Sequence, residues 1–412
     1  MTADTSDNAC ALSVVEPSTV RHSQGRDREG AVCISSPPFH DGRGSDSRRS
    51  RDEEPGPDSR HGLQIAPIQI GPAVIGPGYP VYVIAEAGVN HDGDAMLARE
   101  LIHAAAEAGA DAVKFQVFSA DRLVTRRAPA AAYQKAAVRA DSQYDMLARL
   151  ELAWDDFAQL AEVAGREDLE FLATPFSVAD LRFLLSMPVR ALKLASPDII
   201  NTELLEAAAA GGVPVIASTG AADLDEIAFG VNYFRAHGGG PLALLHCISS
   251  YPAPEEEANL AAIAVLVERF RCVCGYSDHT ESTRTGGYAV AAGACIVEKH
   301  LTLDRKRPGP DHGFSLEPRT FAEYVRDIRL AERLMGRGRI EVSACQREAR
   351  LLARGSVVAA RDIRAGEPIT RAMLTVKRPG DGIAPAQIEQ LIGRCPLRDI
   401  TADTALTWDD LA

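Results

Sequence analysis

Eight short apolar runs, separated by segments of helical spacing, constrain the fold of this chain more than any other feature. The runs are 81–87, 112–116, 171–174, 191–195, 213–218, 242–248, 272–276 and 295–299. They are apolar and β-branched without clean alternation, so both faces of each are covered. Between them, 95–108, 154–164 and 202–210 carry helical patterns that stop before Gly109, Gly165 and Gly211, and 321–335 stops before Gly336. Glycine just past the last apolar residue is the usual helix stop. A further helix is expected over 284–292. Eight strands alternating with helices over about 250 residues predict an α/β chain folded as a (β/α)8 TIM barrel. Ahead of the first strand, 65–75 reads as a small hairpin broken at Gly71-Pro72, closing one end of the barrel. The segment 118–147 is long for a connection and reads as a lid.

The texture changes at both ends of the chain. Residues 1–62 are rich in Ser, Arg, Asp, Gly and Pro without apolar periodicity, and a disordered extension is expected there. The barrel then occupies 63–338 and a linker 339–353. From 354 to 412 short apolar pieces alternate with turns such as Arg364-Ala365-Gly366-Glu367-Pro368, the pattern of a small β-rich domain. The formal charge of −13 argues against general affinity for nucleic acid. Neither a membrane span nor a signal peptide is evident, so a cytoplasmic protein is expected. Cys247, Cys272, Cys274 and Cys295 fall inside apolar runs and read as small buried hydrophobes in a reducing compartment, not as a zinc motif.

In a parallel βα array, chemistry gathers where the strands end. Those ends carry Glu86, Lys114, Thr174, Lys193 with Ser196, Ser218-Thr219, His246 with Tyr251, His279, and Glu298 with His300. An ammonium group inside an apolar strand is costly unless paired. Two of them, Lys114 and Lys193, point to one compact dianion, such as phosphate or a phosphorylated carboxylate, with Ser196, Ser218 and Thr219 as donors. His279 and His300 end two successive strands, so their imidazoles should emerge side by side as metal ligands. The alternative for each is a core histidine with satisfied nitrogens. His246 is expected to pack in the core or behind the site, and His91 to line the mouth or shape its loop. Two imidazoles with carboxylates and waters suit Mn2+, Mg2+ or Co2+ in an open site. Such an ion polarises a carbonyl oxygen. A polarised carbonyl beside a lysine-held phosphorylated anion predicts an aldol-type addition of an enolpyruvyl unit.

The motifs IAEAGVNHDG (84–93), GADAVKFQ (109–116), FLATPFS (171–177), LKLASPDIIN (192–201), VPVIASTG (213–220) and LLHCISSYPAP (244–254) occur in that order. GYSDHT (275–280), VEKHLTLDR (297–305), PGPDHGFSLEP (308–318) and VKRPGDGI (376–383) follow. Together they resemble the N-acetylneuraminate (sialic acid) synthase family, which includes legionaminic and pseudaminic acid synthases. The resemblance implies a TIM barrel followed by a C-terminal antifreeze-like (SAF) domain. It also implies a domain-swapped homodimer in which one SAF domain covers the partner's barrel mouth. The implied reaction condenses phosphoenolpyruvate with the open-chain aldehyde of an N-acylated hexosamine, N-acetylmannosamine or a 2,4-diacetamido-trideoxyhexose. The products are a nine-carbon 2-keto-3-deoxy acid and phosphate. By the same resemblance His279 and His300 are metal ligands, and Lys114, Lys193, Ser196 and Ser218 grip phosphoenolpyruvate, with Thr174 and Tyr251 nearby. Asp311 and Glu86 fall near the sugar and the reacting centre. Arg378 is the arginine sent into the partner's site. Glu86 and Glu298 are the candidates for proton transfer.

Two positions that face the sugar in the family pattern differ here. Ser196-Pro197-Asp198 replaces the Ser-Gly-Glu usual in bacterial sialic acid synthases, and Ser249 stands where they place asparagine. The PDHGFSLEP run is more similar to the legionaminic and pseudaminic branches. Two rival readings stand beside this one. A barrel that adds phosphoenolpyruvate to a phosphorylated aldose would need a second phosphate site and no SAF domain. An inactive carbohydrate-binding relative need not keep Lys114, Lys193, His279 and His300 together.

Overall fold

The computed structural model describes residues 64–129, 142–336 and 338–412. The expected extension over 1–62 lies outside the described residues, as do Cys10 and Cys33. A hairpin opens the described chain, β1 (Ile68–Ile70) pairing antiparallel with β2 (Ala73–Ile75). Eight parallel strands follow. They are β3 (Tyr82–Gly88), β4 (Ala112–Val117), β5 (Glu170–Pro175), β6 (Leu192–Leu194), β7 (Val215–Ser218), β8 (Leu242–Cys247), β9 (Val273–Asp278) and β10 (Ile296–His300). The hydrogen-bonded order is β5-β4-β3-β10-β9-β8-β7-β6. The first barrel strand, β3, therefore pairs with the last, β10. The ladder's two ends, β5 and β6, pack side by side, so the barrel is nearly closed. All eight expected strands form, each within two residues of its expected bounds.

The barrel interior changes character along its axis. Tyr82, Ile84, Ala112, Leu172, Ala191, Ile216, Ala243, Leu245, Val273 and Ile296 form one apolar cluster with Ile68, Ile70 and Ile75 of the hairpin. The hairpin thus plugs the end where the strands begin. Side chains two positions on point the same way in a strand. That step leads from Ile84 to Glu86, Ala112 to Lys114, Leu172 to Thr174, Ala191 to Lys193, Ile216 to Ser218, Leu245 to Cys247 and Ile296 to Glu298. An apolar layer gives way in one pleat repeat to a charged one. The opposite faces of the strands belong to the main core between barrel and helices, with Val83, Val113, Phe115, Leu192, Leu194, Val297 and Tyr324 among its members.

The helices Ala95–Glu107, Thr202–Ala210 and Pro318–Met335 end where expected. The helix Trp154–Arg166 does not: it runs through Gly165, and the left-handed residue that turns the chain is Asp168, φ 57°. The apolar face of Phe157, Leu160 and Ala164 continues to that point, and this packing outweighs the modest cost of an interior glycine. Of the expected lid, residues 130–141 lie outside the described residues. Its flanks, Ala120–Leu123 and Gln143–Ala148, pack Phe118, Ala120, Met146 and Leu147 against Val89.

In the C-terminal domain β11 (Ser356–Ala359) pairs antiparallel with β12 (Leu374–Lys377) around Val357, Ile363, Ile369, Leu391 and Leu406. The linker before it carries a short helix, Arg347–Ala353, with no buried residue. No helix of the described residues is long and apolar enough to cross a membrane.

Candidate active site

The charged layer at the strand ends brings Glu86, Lys114, Thr174, Lys193, Ser218 and Glu298 together, all buried. Lys114 Nζ lies 2.6 Å from Glu86 Oε2 and donates to Thr174 Oγ1 at 3.2 Å. Lys193 Nζ donates to Ser218 Oγ at 2.6 Å and to the Leu194 carbonyl at 3.1 Å. Glu298 sits between the two ammonium groups, its Oε2 3.7 Å from Lys114 Nζ and 3.8 Å from Lys193 Nζ. Its other oxygen accepts a hydrogen bond from Ser277 Oγ at 2.9 Å. Ser196 Oγ accepts from the Gly220 amide at 2.9 Å.

Burial and charge drive these groups apart in proton affinity. Burial lowers both lysines. Glu298 and Glu86 more than reverse this at Lys114, whose pKa is raised, but Lys193 remains lowered. Burial raises Glu298, and the two ammonium groups outweigh it, so its pKa falls below the carboxylate range. At Glu86 burial wins over Lys114 and the pKa rises. Burial, aided by the charge of Glu86, pushes Asp311 up to about 7. The site therefore holds one firmly ionised carboxylate, Glu298, and two, Glu86 and Asp311, that keep a proton more readily.

Glu86 and Asp311 meet over Gly88, where β3 bulges and φ is 54°. A Cβ at Gly88 would lie 3.1 Å from Glu86 Oε1, 3.3 Å from Gln116 Nε2 and 3.5 Å from Asp311 Oδ2. Only glycine suits both the conformation and the crowding. Gln116 Nε2 donates to Glu86 Oε1 at 3.1 Å. The loop bearing Asp311 is tied down by His312, whose Nε2 pairs with Asp92 Oδ1 at 2.9 Å and Nδ1 with Thr302 Oγ1 at 2.6 Å.

His279 and His300 stand side by side, ring centroids 5.5 Å apart. Tyr251 packs on His279 at 4.3 Å and Phe314 on His300 at 4.9 Å. His279 Nδ1 faces the Ile248 carbonyl at 2.8 Å, which puts the proton on Nδ1 and leaves the Nε2 lone pair free. Burial opposes protonation of His279, but the Cys247 thiol beside it, with Sγ 3.7 Å from Nδ1, tips its pKa upward. Burial and the neighbouring His279 hold His300 well below the usual imidazole range. No hydrogen bond among the described residues reaches His300 Nδ1, which lies 3.9 Å from Asp311 Oδ2.

No group of three or more His, Cys, Asp or Glu among the described residues is arranged to hold a metal ion. The donors present are two imidazoles, one with an orphaned buried nitrogen, and a neighbouring carboxylate. This set fits a hard divalent ion that fills most of its shell with water and substrate oxygens, such as Mn2+ or Mg2+. It does not fit a closed structural zinc.

The remaining expected residues are more dispersed. Ser249 is exposed at the mouth, and a Cβ at Gly220 would collide with its hydroxyl. Asp198 is half-buried, with Oδ1 accepting from Asn201 Nδ2 at 2.9 Å; Asn201 itself caps the helix Thr202–Ala210. Arg378 lies outside this cluster, exposed on the C-terminal domain beside Lys377, Pro379 and Asp381. His246 points into the helix layer, with Nε2 2.9 Å from the Ala258 carbonyl and its ring stacked on Tyr276. His91 is buried and accepts from the Gly93 amide through Nδ1, while no hydrogen bond among the described residues reaches its Nε2. Gln116, Cys247, Ser277 and Phe314 join the site without having stood out in the sequence. For Gln116 and Cys247 the available signal was the two-residue step from Lys114 and Leu245.

The NeuB family model matches residues 101–340, and the SAF domain model matches residues 354–412. The chain is 41% identical over 335 residues to an N,N'-diacetyllegionaminic acid synthase of Legionella pneumophila, covering 80% of this chain and 94% of that protein. It is 38% identical over 324 residues to a protein of the same name from Campylobacter jejuni, covering 78% and 97%. Its fold matches the crystal structure of N-acetylneuraminic acid (sialic acid) synthetase from Leptospira borgpetersenii in complex with citrate. The TM-score is 0.64 at 38% identity, over 70% of this chain and 96% of that one.

Proposed function

Because the chain belongs to the NeuB family, we propose that it is a nonulosonic acid synthase. It joins phosphoenolpyruvate and water to the open-chain aldehyde of an N-acylated hexosamine, giving a nine-carbon 2-keto-3-deoxy acid and phosphate. The observation that carries this reading is the pair of buried ammonium groups, Lys114 and Lys193, both within 4 Å of Glu298. Two desolvated cations, on barrel strands β4 and β6 with β5 between them, are offset by only one ionised carboxylate and by Glu86, which keeps a proton more readily. A phosphorylated carboxylate supplies the missing negative charge.

Lys114 and Lys193 bind the phosphoenolpyruvate anion, with Thr174, Ser196 and Ser218 as hydroxyl partners. Glu298 is the counter-charge shared by Lys114 and Lys193 and, with Glu86, a candidate for proton transfer. Asp311, whose carboxyl is pushed up to about 7, and Glu86, whose carboxyl is raised by burial, face the aldehyde oxygen and donate as it becomes a hydroxyl. The C3 carbon of the enol attacks the aldehyde carbon, water adds at C2, and the tetrahedral intermediate expels phosphate. Tyr251 and Phe314 wall the reacting groups from solvent. A divalent ion would be held by His279 and His300, and when bound it supplies Lewis-acid polarisation of the aldehyde oxygen.

The preferred acceptor in this reading is a 2,4-diacetamido-trideoxyhexose. Its support is the chain's similarity to proteins named as N,N'-diacetyllegionaminic acid synthases. The protein works in the cytoplasm as a domain-swapped homodimer, with Arg378 of the SAF domain reaching the amino sugar in the partner's barrel. The test is phosphate release from phosphoenolpyruvate with Mn2+ and a panel of aldoses, with the product mass determined. Release with the diacetamido sugar, and a weaker response to N-acetylmannosamine, is expected. Release only with phosphorylated aldoses, or with no sugar at all, overturns the proposal.

A further inference from the structure

The two histidines leave the barrel just beyond the last rung of the β9–β10 ladder. That ladder pairs Ser277 with Glu298 and Asp278 with Lys299, and ends there. His279 and His300 are the next residues, so no ladder bond fixes their separation. Ser277 and Glu298 face inward and hydrogen-bond to each other. Asp278 and Lys299 face outward, into the layer between barrel and helices, where both are buried.

A closed polar cluster surrounds this outward pair. Lys299 Nζ lies 3.0 Å from Asp278 Oδ2 and donates to the Thr280 carbonyl at 2.5 Å. Asp278 Oδ1 accepts from the Thr280 amide at 2.9 Å and its hydroxyl at 2.8 Å. Asp278 Oδ2 accepts from Tyr324 of the helix Pro318–Met335 at 2.8 Å, and also from Thr285 Oγ1. The Lys299 ammonium sits 5.3 Å from the centre of the Tyr324 ring. One side chain, from the residue before His300, therefore bonds to the residues immediately before and after His279.

We infer that Lys299, with Asp278, Thr280 and Tyr324, is a positioning device that sets the spacing of His279 and His300 from behind. A buried ion pair is a poor source of net stability, because apolar replacements of similar volume are often neutral or better. It does impose geometry, and here that geometry spans both histidine-bearing segments. The inference rests on the reading of His279 and His300 as ligands of one divalent ion. Groups that hydrogen-bond directly to ligating histidines are worth roughly 10–100-fold in metal affinity, and a device acting one residue away is set at the lower end of that range.

The test measures Mn2+ binding by electron paramagnetic resonance and phosphoenolpyruvate binding by calorimetry without metal, on the full chain. The double variant Lys299→Met with Asp278→Asn removes both charges together. It should weaken Mn2+ binding at least tenfold and leave phosphoenolpyruvate affinity within threefold. Lys299→Arg should restore Mn2+ binding to within threefold of wild type. Tyr324→Phe deletes only one hydrogen bond and should weaken Mn2+ in the same direction, which keeps the test open if the double variant fails to fold. Wild-type Mn2+ affinity in the double variant, with loss in His300→Ala, overturns the positioning role. Wild-type Mn2+ affinity in His300→Ala instead overturns the underlying metal reading.

Discussion

Glu298→Gln probes the charge balance at the centre of the mouth. Lys114 keeps Glu86 at 2.6 Å when Glu298 is neutralised. Lys193, whose carboxylate neighbour is Glu298 at 3.8 Å, is left as an uncompensated buried ammonium. At an effective dielectric constant of about 20, that separation corresponds to about 4 kcal/mol of lost attraction. Lys193 can instead give up its proton. Discharging an amine of ordinary pKa about 10.4 at about pH 7 costs about 5 kcal/mol, which caps the loss. The two limits agree with the roughly 3–5 kcal/mol typical of breaking a buried pair. The metal-free variant should therefore melt about 8–16 °C below wild type, at about 2–4 °C per kcal/mol for a domain of this size. Phosphoenolpyruvate supplies the missing charge, so saturating ligand should raise the melting temperature of the variant more than that of wild type. Differential scanning fluorimetry with and without ligand reads both effects. Equal ligand-induced shifts, or a variant as stable as wild type, would refute the assignment of Glu298 as the counter-charge of the lysine pair.

Other perturbations separate the remaining parts of the site. His300→Ala should lower divalent-dependent phosphate release by at least about a hundredfold, and full activity of that variant after chelation would remove the ion from the scheme. Arg378→Ala should raise KM for the amino sugar about tenfold while sparing phosphoenolpyruvate; equal losses for both substrates would exclude contact with the sugar. His91, held neutral by burial with its pKa down to about 4, binds its proton later in the folded than in the unfolded chain. Its contribution is complete above the unfolded value of about 6.5 and is lost as pH falls toward 4. His91→Gln should therefore flatten the acid side of the stability profile by about 3 kcal/mol over that window, as read by denaturant titration at several pH values.

The barrel was legible because its signal is local and repeated. Each strand is a short run buried on both faces, and each start or stop depends on residues within one or two positions. Lys114 and Lys193 stood out because an ammonium group in an apolar run is costly unless paired. The structure adds what lies between strands. That Glu298 sits between both lysines, and that Glu86 and Asp311 meet over Gly88, depends on residues more than a hundred positions apart. Cys247 was read as a small hydrophobe because the residues around it are apolar. It nonetheless lies on the inward face, two positions beyond Leu245 and against His279. Gly165 misled because a glycine after an apolar stretch has the same local appearance whether the helix ends or continues. The packing of Phe157, Leu160 and Ala164 decided the matter, and that packing is not local.

The depth at which each group lies divides the site into two levels. Lys114, Lys193, Ser218 and Glu298 belong to strands, one pleat repeat above the apolar plug, and the ladder fixes their positions. Ser249, Asp198, Asp311 and Phe314 lie on the turns beyond the strands, where a substitution leaves every ladder bond intact. A phosphorylated anion held at the deeper level is then insulated from changes that alter the acceptor above it. The two departures from the sialic acid synthase pattern, Asp198 and Ser249, both fall on the outer level. Asp198 also commits one oxygen to Asn201, and so turns less of its charge toward a bound sugar than a carboxylate free of such a partner. In the proposed reading, such a layered mouth permits exchange of the acceptor with retention of phosphoenolpyruvate chemistry, because the lysine pair rests on strands while Asp198 and Ser249 rest on the turns above them.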